Sequence, residues 1–135
     1  MESRSLAYEV ELSLPEDGGS TARARDFTRE ILAGSAYQGR HDDVVLVVSE
    51  LVSNALRHGH GAPVLRLLGT AGRIRVEVAD DSPVPPRPRD PGPDGGLGLR
   101  LVERLAVRWG CTPYDPRQPE AAGTPGKVVW CELAP

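Results

Sequence analysis

The chain has 135 residues, which fits one domain with one hydrophobic core. It is 39% apolar and 26% charged, as in an ordinary globular protein, and its net charge of -3 argues against a direct nucleic-acid binder. No apolar run approaches the roughly 20 residues that span a bilayer, and residues 1–20 have no apolar signal core, so we expect no membrane contact, no secretory signal and a cytoplasmic location.

The first predicted elements are a strand and a helix. Apolar and polar residues alternate over 6–14, which predicts a half-buried strand. A helix follows to about Ala33, and either Ser20 or Thr21 is a suitable N-cap. Gly34 is expected to end this helix.

A second helix is predicted from Asp42 to His58. Its apolar residues recur at helical spacing, and the acidic residues Asp42 and Asp43 suit the positive end of a helix dipole. So many valines are also compatible with a buried strand, but the pattern is longer than an ordinary strand. The glycines that follow, Gly59 and Gly61, are expected to end the helix.

The second half of the chain is predicted to contain four strands, a helix and a long loop. Six of the thirteen prolines fall in the loop, where neither helix nor strand tolerates them. The elements are strands at 64–68 and 73–78, the loop at 81–96, a helix from 97 to about 108, and strands at 109–114 and 127–133. This order favours an α+β fold of two layers, with a sheet covered on one face by about three helices.

Two cysteines are present, Cys111 and Cys131. Neither has the Cys or His neighbours of a zinc site, so we expect two buried, reduced thiols. If the last two strands pair about a turn near Ala121, the two cysteines lie opposite each other.

A polar ridge marks the second helix. Glu50, Asn54 and His58 are four residues apart, so they follow one narrow line beside the apolar stripe, whereas Ser49 and Ser53 are expected on the solvated far face. The Asn54 amide oxygen suits a magnesium ion that completes its shell with phosphate and water, and Glu50 suits a proton acceptor. A structural role is favoured for His58. A polar helix edge with no chemical task is the alternative.

Asp80 ends a strand that is predicted to be buried. A carboxylate at that point can accept a hydrogen bond from an exocyclic amine such as that of adenine, although acids at strand ends are often simple turn formers. Its neighbour Asp81 is expected to point to the other side.

Glycines precede and open the third predicted helix. Gly95, Gly96 and Gly98 would let a phosphate approach the free amides of the helix start, or would form a flexible hinge. The segment is neither a P-loop nor a Rossmann fingerprint, because no Gly-Lys-Ser/Thr follows and no strand precedes.

These three motifs together resemble the ATP-binding domain shared by gyrases, heat-shock chaperones of the ninety-kilodalton class and histidine kinases. SELVSNALRHG resembles the N box of that family, VEVADDSP its first glycine box and GGLGLRLVERLA its second, and the resemblance covers about residues 8–133. It implies the Bergerat fold, with a mixed and mostly antiparallel sheet.

Within that superfamily the chain is most similar to the stand-alone anti-sigma factor serine kinases of the sporulation and stress-response type. The resemblance implies that ATP and Mg²⁺ are bound, that Glu50 is the base, that Asn54 holds the metal and that Asp80 reads adenine. Residues 82–95 would form the lid over the nucleotide. The implied cofactor-binding residues are, in chain order, Asn54, His58, Asp80, Gly95, Gly96, Leu97, Gly98 and Leu99.

The resemblance also implies partners. Such kinases phosphorylate a serine on an anti-anti-sigma protein of the STAS type, sequester a sigma factor and are usually homodimers. The chain departs from the family where Ser82 and Val84 replace two glycines of the first box, and where Pro125 and Gly126 interrupt the approach to the last strand. Two alternatives therefore stay open: a partner-binding module without kinase activity, and a plain ATPase.

Overall fold

The computed structural model describes residues 7–58, 61–82, 98–113 and 126–135. Strands and helices follow in the predicted order. They are β1 (Tyr8–Ser13), α1 (Ser20–Ala33), α2 (His41–His58), β2 (Val64–Gly69), β3 (Ile74–Asp80), α3 (Gly98–Leu105), β4 (Arg108–Thr112) and β5 (Lys127–Leu133). No helix in these ranges is long and apolar enough to cross a membrane.

The five strands form one sheet in the order β1-β2-β3-β5-β4. Each pairing in the described part of the chain is antiparallel, so the expected mixed sheet is antiparallel throughout these strands. The two-layer α+β architecture predicted from the sequence is confirmed.

The core lies between the sheet and the helices. In β3 every second residue is buried, and the same alternation that buries Ile74, Val76 and Val78 also buries Asp80 at the strand end. From α2 the apolar stripe contributes Val44, Val47, Val48, Leu51 and Val52, all at most 3% exposed. Burial of this stripe, more than helix propensity, stabilises so valine-rich a helix.

The start of α1 differs from the prediction. The N-cap residue is Gly19, and no side chain caps the helix. Ser20 is instead the first helical residue, where its buried hydroxyl donates to the carbonyl of Pro15, while Asp17 accepts a hydrogen bond from the Gly19 amide. The turn before the helix thus uses these polar groups. Gly34 ends the helix as predicted.

The cysteine pairing was predicted with the wrong register. Cys131 lies opposite Trp109, whereas Cys111 lies opposite Val129. Cys131 is buried, and burial raises the pKa of its thiol to about 12, but Cys111 is exposed. The expectation of two buried, facing thiols is therefore wrong: β4 is an edge strand, and it pairs with β5 two residues away from the predicted register.

The sheet face turned away from the core carries a row of charged side chains. Its centre is Glu132, whose carboxylate accepts hydrogen bonds from Arg73 at 3.1 Å, Arg75 at 3.0 Å and Arg108 at 2.8 Å. The Arg108 guanidinium, helped by Arg75, lowers the pKa of Glu132 to about 2. Arg75 also lies over the Trp130 ring, 4.1 Å from its centroid.

We expect Glu132→Gln to lower the free energy of unfolding by about 1–2 kcal/mol at pH 7, a value reduced for the solvent exposure of the arginines. Because the folded-state pKa lies below the unfolded value of 4.5, this stabilisation is complete above pH 4.5 and is lost as the pH falls towards 2. Urea unfolding of the wild type and of Glu132→Gln between pH 3 and 7 measures this loss of stability.

Glu11→Gln is the matched control. Glu11 lies in the same row and accepts a hydrogen bond from Arg66 at 2.9 Å, but its side chain is 54% exposed, so its loss should cost less. The free energy of unfolding should differ less between wild type and Glu132→Gln at pH 3 than at pH 7. The same difference at both pH values would contradict the assignment of this stability to the ionised carboxylate.

Candidate functional site

The elements that carry the predicted site residues pack against one another. Helix α2 contacts both β3 and α3. The chain leaving α2 also returns beside the end of β3: a Cβ built on Gly61 would lie 2.1 Å from Asp81 Oδ2. The exposed Asp81 carboxylate can rotate away from such an atom, but Gly61 has a φ of +76°, so the backbone conformation favours glycine at this point.

The two flanks of α2 have different surroundings. Ser49 accepts a hydrogen bond from Arg25 of α1 at 3.3 Å, and the Ser53 hydroxyl lies 3.3 Å from that of Thr21. The prediction that these serines are solvated is wrong, because α1 packs along this flank.

Glu50 and Asn54 lie on the other flank. Successive residues of a helix are rotated by about 100° about its axis. Glu50 and Asn54 therefore lie on one side of the exposed Leu46, and the serines that contact α1 lie on the other side. Glu50 and Asn54 are both half-buried. They thus border the core on the side of α2 away from α1, as the predicted ridge requires. His58 is the last residue of α2, and its predicted role concerns a side chain that lies outside the described part of the structure.

Asp80 is the most unusual polar group of the site. Its side chain is 1% exposed and lies on the covered face of the sheet. Oδ1 accepts hydrogen bonds from the Ser82 amide at 2.8 Å and from Lys127 Nζ at 2.9 Å. Oδ2 is buried and has no hydrogen-bond partner among the described residues. A buried carboxylate oxygen without a donor is costly, so this atom is suited to a ligand that donates.

Lys127 is a site residue that sequence reasoning missed. It opens β5 directly opposite Asp80, and its 6% exposed side chain donates to Asp80 and, at 3.3 Å, to the Ser82 carbonyl. The preceding Gly126 has a φ of +151°, and a Cβ there would lie 3.2 Å from the Asp80 carbonyl oxygen, so glycine allows the close approach. The available signal was that the only lysine of the chain opens an apolar strand.

The predicted phosphate-binding segment is described only from its last residues. Gly98 is the first residue of α3, and Leu99 is 3% exposed and belongs to the core, so its side chain does not face a ligand. Gly95, Gly96 and Leu97 lie outside the described residues, as does the predicted lid except Ser82.

The donor set of the site suits a metal ion that arrives with its nucleotide. Within residues 7–58, 61–82, 98–113 and 126–135, no three His, Cys, Asp or Glu side chains lie together as a metal site. Mg²⁺ commonly takes one or two protein ligands and completes its shell with water and phosphate oxygens. The half-buried amide of Asn54 fits that smaller requirement.

Both a solved structure and a family model match this chain. A solved structure of the RsbU and RsbW domains of Rv1364c from Mycobacterium tuberculosis superposes with a TM-score of 0.66 at 21% identity, covering 94% of this chain and 32% of that one, and it supports the fold alone. No curated protein sequence matches. The family model for the histidine kinase-like ATPase domain matches residues 14–117. Since that match spans most of the chain, the protein belongs to the histidine kinase-like ATPase domain family.

Proposed function

We propose that this protein binds ATP with Mg²⁺ and acts as an anti-sigma factor and protein serine kinase. The observation that carries the proposal is Asp80 Oδ2, a buried acceptor without a donor at the end of β3. The exocyclic amine of adenine supplies such a donor. Membership of an ATPase family and the fold shared with a structure that contains an RsbW domain support the same assignment.

The predicted site residues have complementary tasks in this proposal. Asp80 receives the adenine, and the Asn54 amide oxygen coordinates the Mg²⁺ that accompanies the phosphates. The glycine-rich segment from Gly95 to the first turn of α3 offers backbone amides to the triphosphate. His58 contributes a hydrogen bond near the end of α2, and the loop at 82–95 covers the nucleotide.

Glu50 is proposed to be the catalytic base. It accepts the proton of a partner serine hydroxyl as that oxygen attacks the γ-phosphorus. The new bond joins the serine oxygen to phosphorus, the bond to the β–γ bridging oxygen breaks, and ADP leaves. Because phosphoryl transfer depends mainly on positioning and charge neutralisation, one base is sufficient.

The proposed partners follow from the same class of kinase. The phosphate acceptor is an anti-anti-sigma protein of the STAS type, and the second partner is a sigma factor that the protein holds in a cytoplasmic complex as a homodimer. The solved relative contains an RsbW domain together with an RsbU domain, in a chain of which this protein spans about one third.

Titration calorimetry with ATP and Mg²⁺ tests the proposal. We expect saturable binding with a Kd below about 1 mM, the upper end of ordinary enzyme–substrate affinities. Omitting Mg²⁺ should weaken binding, because the triphosphate then loses the cation that Asn54 would hold. Absence of binding up to millimolar ATP would reject nucleotide-dependent function.

A nucleotide-free partner-binding module is the second candidate, and Ser82 favours it. This residue stands where the family has a glycine, is 1% exposed, and is held through its amide by Asp80 and through its carbonyl by Lys127. Such a module would bind its partners without ATP.

A plain ATPase is distinguished by phosphate release in the absence of any partner.

A further inference from the structure

The ion pair of Asp80 and Lys127 presents an acceptor and a donor side by side. Asp80 Oδ1 already has two donors, so Oδ2 is the remaining acceptor of the carboxylate. The Lys127 ammonium has three protons, and Asp80 Oδ1 and the Ser82 carbonyl accept two of them. Among the described groups, the third proton remains for a ligand.

The Watson–Crick edge of adenine has the complementary arrangement. Its exocyclic amine is a donor and the adjacent ring nitrogen N1 is an acceptor. Guanine and hypoxanthine reverse both, since they present a carbonyl oxygen and an N1–H. An acceptor beside a donor therefore fits adenine and opposes the 6-oxopurines.

We propose that Lys127 is a specificity-determining residue that reads adenine N1. Asp80 Oδ2 accepts from the exocyclic amine, and Lys127 donates its third proton to N1 directly or through one water. This assignment rests on the proposed ATP binding. Neutralising a buried carboxylate requires no contact with the base. Reading adenine N1 is therefore an additional role for Lys127.

A cycle of protein and nucleotide variants tests the proposal. The probe is 1-deaza-ATP, which keeps the exocyclic amine but has carbon in place of N1. Wild type should bind ATP about tenfold or more tightly than 1-deaza-ATP, the effect of one hydrogen bond from a charged donor. Lys127→Met should bind the two nucleotides equally, because the donor is gone.

The remaining outcomes separate this proposal from its basis. A wild type that binds no ATP rejects the proposed function and the inference with it. Equal binding of ATP and 1-deaza-ATP by the wild type overturns the inference about Lys127 but not the proposed function. This measurement does not depend on the folding of any variant. The inference is also overturned if Lys127→Met prefers ATP over 1-deaza-ATP by the same ratio as the wild type. The ratio of ATP to 7-deaza-ATP, whose altered atom lies on another edge of the base, should be the same in both proteins.

Discussion

Asp80→Asn should reduce ATP affinity at least about 100-fold, because it places a donor against a donor in a buried site. The amide oxygen can still accept from Ser82 and Lys127, so the NH₂ group takes the place of Oδ2. That group then faces the exocyclic amine of adenine. Calorimetry with ATP and Mg²⁺ measures the change.

Asp81→Asn is the matched control. Asp81 follows directly in the chain but is exposed, so its substitution should leave ATP affinity nearly unchanged. Equal loss in the two variants would show that general negative charge, and not the Asp80 acceptor, determines binding.

Loss of the fold is separated from loss of binding by a double variant. Asp80→Asn leaves the buried Lys127 without an anion and should cost about 3 kcal/mol of stability. Combining it with Lys127→Met removes both charges at similar volume, a change that is often neutral or stabilising. The double variant should recover thermal stability but not ATP binding. Recovery of ATP binding together with stability would contradict the role of Asp80.

Much of the fold follows from periodicity in the sequence. The α2 pattern predicts the helix to within one residue at its start, since long amphipathic periodicity reflects a face that must be buried. The period of two in β3 continues past residue 78, where the strand was expected to end, and it places Asp80 on the buried face. These features depend on local pattern alone.

Features that depend on strand register and tertiary contacts were not predictable in this way. The contact of Ser49 with α1 and the position of Lys127 opposite Asp80 arise from pairings between distant segments. Similarly, Arg66 is buried in the sheet through Glu11 and Glu77, although arginine on a strand suggests a wet face. A shift of two residues between β4 and β5 was enough to misplace Cys111.

Glu50→Gln should lower the rate of phosphate transfer to the partner about 10²–10⁴-fold, the usual contribution of a general base. ATP affinity should change little, because Glu50 acts on the serine proton while Asp80 and Asn54 hold the nucleotide. Radiolabel transfer from ATP to STAS-type proteins of the source organism measures the rate, and calorimetry measures the binding. The substitution keeps the size of the side chain and removes its basicity.

Glu30→Gln is the control for this experiment, because Glu30 is an exposed carboxylate on α1 whose loss should leave transfer unchanged. Equal transfer by wild type and Glu50→Gln would remove Glu50 from the chemistry. Unimpaired ATP binding in the same variant would then leave Asn54 and Asp80 in place, since nucleotide binding and proton transfer are tested by different measurements.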